Sequence, residues 1–164
     1  MKIRLRPLSY YPSLKESVKI RKVRENDLTP LSTLFYHGYK DSVDYRDETL
    51  CMYRKEIKAL LRGLYGPFLF DSSYVYLDKK KMLSASLITL YQNIPLLIYA
   101  VTLPEYKRQG IFSQLLAHSM HSLYKKGYKE LYLVVTNDNY AAHYVYKKFG
   151  FQETTLEWKE IVNK

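Results

Sequence analysis

The chain has almost no cysteine. Of its 164 residues only Cys51 carries a thiol, so an internal disulfide is excluded and packing must hold the fold. Long apolar runs are missing too, with no stretch near the ~18 apolar residues of a membrane span. The opening MKIRLRPLSYYP has neither a long apolar core nor a small-residue cleavage site. The expected setting is therefore cytoplasmic, with no membrane partner. Acidic residues are in deficit, 16 against 26 Lys and Arg for a formal net charge of +10, which favours anionic partners. His37, His118, His121, His143 and Cys51 lack zinc-like spacing, so no metal is expected. G-x-x-x-x-G-K-[ST], G-x-G-x-x-G and G-x-S-x-G are absent. Nucleotide hydrolysis, dinucleotide redox chemistry and serine-elbow hydrolysis thus lack support.

What is present is an ordinary globular composition, 47% hydrophobic and 26% charged, on a chain long enough for one real core. Residues 1–17 read as an irregular basic arm with room for a short strand, and residues 18–164 as a single domain. Eighteen tyrosines beside the positive charge would suit a single-stranded nucleic-acid binder. They are scattered through every element, however, and nucleic acid is the weaker reading.

VKIRKV (18–23) alternates as a half-buried strand does. ENDLTP then starts a helix, with Asp27 as cap, Pro30 in the first turn and Gly38 at the end. A second helix is expected from Asp47 to Arg62, closed by Gly63. Strands follow at 73–78, 82–91 and 95–103, with connections short enough for antiparallel hairpins. A helix after Gly110 runs to about Gly127, then KELYLVV (129–135) reads as a central strand. NDNYAAHYVYKKFG (137–150) is a further helix, and FQETTLEWKEI a last strand. The fold class is α/β with a mixed sheet whose first part is antiparallel.

The chemistry concentrates at EYKRQGIFSQLL (105–116), where a strand hands over to a helix. Ile111, Phe112, Leu115, Leu116, Ser119, Met120 and Leu123 share a face at helical spacing. Ahead of them, Lys107, Arg108, Gln109 and Gly110 form a basic turn whose backbone amides lie at a helix start. Free N–H groups, a helix dipole and two cations together suit a phosphate-bearing ligand.

Two segments resemble the GNAT acetyltransferase superfamily. PEYKRQGIFSQLL is similar to its acetyl-coenzyme A segment, Q/R-x-x-G-x-G/A, with Lys107 at the Q/R position, Gly110 at the middle glycine and Phe112 at the final Gly/Ala. NDNYAAHYVYKKFGF is similar to its later segment, through Asn139, Ala141, Ala142, Tyr146, Gly150 and Phe151. The order of elements from residue 18 to about 160 matches as well. GYKDSVDYRDET, YGPFL and PLLIYAVTLPEYKRQG are similar to a bacterial group within the superfamily. The resemblance implies a GNAT-like fold with a splayed central strand pair and flanking helices. It implies acetyl-coenzyme A as cosubstrate, an amine as acceptor and room for a homodimer.

For the site, the resemblance implies a pyrophosphate held by Lys107, Arg108, Gln109, Gly110, Ile111, Phe112 and Ser113. A pantetheine arm would lie along the strand ending Val101–Leu103, and Asn139 would contact the cofactor or cap its helix. Lysine at 107 keeps the charge but loses the planar fork of arginine. Phe112 fits if its ring turns into the core while its N–H faces the phosphate. The resemblance puts the Tyr146 hydroxyl near the leaving sulfur as general acid. A base is needed because an amine with a pKa near ~10.4 is mostly protonated at neutral pH. MLSASLITLY holds no acid, so the candidates are Glu48, then Asp44, Glu105 and His37. Two other readings stand beside acetyl transfer to an amine. One is a cofactor-binding regulatory protein with little catalysis, the other a nucleic-acid-binding module.

Overall fold

One strand is enclosed on both faces and organises the rest. In the computed structural model, which describes residues 1–7 and 18–162, the elements in chain order are β1 (Lys2–Arg4), β2 (Val18–Lys22), α1 (Leu28–Tyr39), α2 (Leu50–Leu61), β3 (Tyr74–Asp78), β4 (Lys81–Tyr91), β5 (Ile94–Thr102), α3 (Ile111–Lys125), β6 (Glu130–Leu133), α4 (Tyr140–Phe149) and α5 (Trp158–Val162). β4 is buried from Met82 to Thr89. Its hydroxyls are satisfied internally, Ser84 by the Val101 carbonyl at 2.8 Å and Ser86 by Ser119 of α3 at 2.9 Å, as burial of polar groups demands.

The sheet order is β1-β6-β5-β4-β3-β2. Every pairing is antiparallel except β5 with β6, so the expected α/β fold with a mixed sheet is the observed one. α1 and α2 cover one face, where Phe35 meets Tyr99 of β5 with ring centroids 5.1 Å apart. α3 covers the other, burying Leu115, Leu116 and Leu123 completely. Each such leucine contributes roughly 1.5–3 kcal/mol.

A bulge controls the geometry of β5. Leu87 pairs with Tyr99 but Ile88 with Leu97, leaving Ile98 as an extra residue. A bulge bends its strand and increases the local twist. At that same point β5 parts from β6, which it touches only at Leu96↔Tyr132 and Leu97↔Leu133. The two parallel strands therefore splay beyond Leu97.

Three local readings of the sequence need correction. Gly38 does not end α1, which continues to Tyr39. A Cβ at Gly38 would stand 2.3 Å from Val101 Cγ2, so the glycine lets α1 lie close against β5. Asp27 does not cap α1. Its carboxylate instead takes both guanidinium nitrogens of Arg21, at 2.7 and 2.9 Å, and the Arg24 amide at 2.8 Å. FQETTLEWKEI is not a strand, because only Gln152 bridges to the sheet and its partner is Lys2. β1, which pairs with β6 through Lys2↔Tyr132, fills the place beside that strand, and the chain turns into α5 instead.

Candidate active site

The splay opens a cavity of about 1350 Å³, larger than the ~300–1,000 Å³ of a single small-ligand site. It is lined by β5 from Leu97 to Thr102, the turn before α3, the start of α4, and α1, α2 and their connection. A second cavity, of about 620 Å³, lies beside α4 and the C-terminal segment, and none of the predicted site residues lines it.

At one end stands the turn from Lys107 to Gly110. Arg108 and Gly110 both take left-handed φ values, 61° and 73°, and a Cβ on Gly110 would meet nothing within 4 Å. The first helical bond runs from the Gln114 amide to the Gly110 carbonyl at 3.2 Å. The amides of Ile111, Phe112 and Ser113 precede it and have no helical acceptor. They lie at the positive end of α3, beside the exposed Lys107 and Arg108. The arrangement is an anion cradle made chiefly of backbone. The Phe112 ring packs edge-on against Tyr146, centroids 6.3 Å apart, and so leaves its own amide uncovered by the side chain.

Not every residue anticipated for this end lines the cavity. Leu103 is buried in the core, and its amide donates to the Leu83 carbonyl at 2.9 Å. The Gln109 side chain folds back onto the Glu105 carbonyl at 3.3 Å. Val101 does line it.

Tyr146 projects from α4 into the middle of the cavity. It is only 6% exposed, and its hydroxyl makes no hydrogen bond to any described residue. Burial, and then the charge of Asp44, push its phenol well above the ordinary range, so it is a proton donor throughout the neutral region. Asn139 caps α4, accepting from the Ala142 amide at 3.1 Å, and its Nδ2 donates to Asp44 at 3.0 Å. Asp44 also accepts from the Thr136 hydroxyl. The connection between α1 and α2 is thereby tied to the connection between β6 and α4, across the splay.

The far end is acidic and aromatic. Glu48 accepts from the Arg46 amide at 2.7 Å and the Tyr53 hydroxyl at 3.3 Å. Glu56, which sequence reasoning missed, accepts from Tyr99 at 2.6 Å and Tyr65 at 2.9 Å, one on each oxygen. Tyr39 donates to the Ala100 carbonyl at 3.2 Å and stacks on Tyr53 with the rings 16° apart. Burial first, and the neighbouring Glu48 and Glu56 next, raise the phenols of Tyr53 and Tyr99, so both stay protonated as donors. In the sequence Glu56 shows only its place on α2 at the edge of the buried face, which does not set it apart from a solvated glutamate. His37 and Glu105 do not line the cavity. Among the described residues no group of three His, Cys, Asp or Glu could hold a metal ion, and no helix is long and apolar enough to cross a membrane.

A family model described as Acetyltransferase (GNAT) family matches residues 44–151. The ribosomal protein bS18-alanine N-acetyltransferase of Escherichia coli (strain K12) is 42% identical over 53 residues, 32% of this chain and 36% of that protein. The chain thus matches about a third of the length of such curated relatives. The PaiA N-acetyltransferase from Thermoplasma acidophilum, solved in complex with coenzyme A, has a similar fold, with a TM-score of 0.71 at 22% identity over 87% of this chain and 94% of that one. The solved ribosomal-protein-S18-alanine N-acetyltransferase from Escherichia coli gives 0.68 at 22% identity, over 84% and 79%.

Proposed function

The chain belongs to the acetyltransferase (GNAT) family, and from that premise we propose that it is an N-acetyltransferase, moving an acetyl group from acetyl-coenzyme A directly to an amine. One observation carries the reading. The open amides before Gln114 and the Tyr146 hydroxyl, which has no hydrogen-bond partner among the described residues, line one cavity, which supports a transfer that needs both an anion site and a proton donor.

The residues present fit the cosubstrate. Amides of Ile111, Phe112 and Ser113, with Lys107 and Arg108, would hold the pyrophosphate, and no atom stands within 4 Å of where a Cβ on Gly110 would be. The edge of β5 from Tyr99 to Thr102, parted from β6, offers backbone groups to an extended amide arm around Val101. Bound there, acetyl-coenzyme A would supply an activated thioester. Tyr146, kept protonated by burial, would donate its proton to the departing sulfur. Glu48 would receive the proton that the ammonium must lose, with Tyr53 holding the carboxylate in place.

A second reading, cofactor binding with little catalysis, is favoured by the absence of any carboxylate on β4 and by Phe112 in place of a small residue. The two readings separate on one experiment, in which acetyl-coenzyme A is added with a panel of amines and free thiol is followed. Thiol release with an amine is the expected result. Thermal stabilisation by acetyl-coenzyme A without thiol release supports the second reading, and no stabilisation removes both.

A further inference from the structure

We propose that the acceptor carries a second cationic group besides the amine that is acetylated, and that Glu56 is the residue that reads it; this rests on the acyl-transfer reading above. In a chain with a net charge of +10, three carboxylates, Asp44, Glu48 and Glu56, line one cavity. None of the three is paired with a lysine or arginine among the described residues. Asp27, Asp71, Glu105, Glu130 and Glu153 do hold a cationic side chain, and other described acids such as Glu25 and Asp138 do not, so what sets the three apart is that they share one cavity. Asp44, Glu48 and Glu56 are held by neutral donors instead: Thr136 and Asn139, the Arg46 amide and Tyr53, Tyr65 and Tyr99. Neutral donors fix the position of a carboxylate but leave its charge uncompensated, which suits a cationic ligand.

The carboxylates form two stations. Asp44 is tied to Thr136 and Asn139 ahead of α4, the helix that carries Tyr146, whose hydroxyl has no hydrogen-bond partner among the described residues and marks the reacting end. Glu56 is held by Tyr99 of β5 and by Tyr65. An amine must be neutral to attack, so an acceptor with one nitrogen has no use for a permanently charged partner at the second station. One with two nitrogens does. The charged nitrogen would rest on the Glu56 carboxylate that Tyr65 and Tyr99 hold. The other would face Tyr146.

The test compares α,ω-diaminoalkanes with monoaminoalkanes of the same length, following thiol release by the full chain and by Glu56→Gln. We expect kcat/KM for the best diamine to exceed its monoamine match by about tenfold or more. In Glu56→Gln that ratio should fall toward one, through KM more than kcat. A ratio near one in the parent chain, or an unchanged ratio in the variant, overturns the proposal. Calorimetry of diamine binding without acetyl-coenzyme A separates the two layers. If no amine is acetylated, the acyl-transfer reading fails, whereas diamine binding that Glu56→Gln weakens still supports the role of Glu56, and no diamine binding overturns it. Should Glu56→Gln not fold, Tyr65→Phe frees one carboxylate oxygen. A shift in diamine affinity with none for the monoamine supports the assignment, and equal shifts for both overturn it.

Discussion

The two ends of the cavity are built from different materials. Before α3 the wall is chiefly backbone: open amides, two left-handed residues and cations out in solvent. Beside α2 it is made of side chains, carboxylates pinned by tyrosine hydroxyls. A backbone site is indifferent to much of its own sequence. In the proposed reading Lys107 and Phe112 can stand where the superfamily pattern has other residues, because the amides would do the holding. A side-chain site has no such latitude, and one changed atom alters it.

That contrast can be broken at four places. Tyr146→Phe should have the largest effect, lowering kcat about 10²-fold or more while acetyl-coenzyme A still binds by calorimetry. Intact turnover would assign the acid elsewhere. Because burial and Asp44 raise this phenol, it remains protonated up to and beyond the ordinary tyrosine pKa of ~10. An alkaline fall in rate below that pH must therefore come from another group and persist in the variant. Glu48→Gln should cost about 10²-fold in kcat/KM. An unchanged kcat/KM would move the base to another residue. Gly110→Ala tests the backbone end. The φ of 73° disfavours a side chain by about 1–2 kcal/mol, so relief of that strain would shift the turn that carries the amides. We expect acetyl-coenzyme A affinity to fall about tenfold, read by calorimetry. Lys107→Ala should matter least, about 0.5 kcal/mol of affinity at moderate salt and nothing measurable at 1 M. A large loss there would mean that side chains, not amides, hold the anion.

Legibility in the sequence followed the same division. The hairpins of β3, β4 and β5 and the start of α3 were readable because their signals are local: short turns, alternation, a glycine before an apolar helical face. Gly38 carried a local signal with a non-local cause. A glycine after an apolar helix reads as a terminator, but its role is contact with Val101 of β5, 63 positions on by sequence number. The last strand failed for a related reason, since β1 from the other end of the chain takes the place beside β6. Glu48 was within reach of pattern and resemblance. Glu56 was not, since a glutamate on an amphipathic helix reads as solvated until the fold brings Tyr65 and Tyr99 to it.

Ile98 has a consequence of parity. Along an unbroken strand Leu97 and Tyr99 would share a face. Here Leu97 packs with the cluster that includes Leu116 of α3, while Tyr99 turns to Phe35 of α1. The extra residue shifts the alternation by one, so everything after it is dealt to the other side. Deleting Ile98 would change no functional group, yet it would send Tyr99 and Val101 to the α3 face. The carboxylate of Glu56 would lose the Tyr99 hydroxyl, and Gly38 would have nothing to make room for. The odd or even count of residues in one strand sets which half of the molecule each wall of the site belongs to.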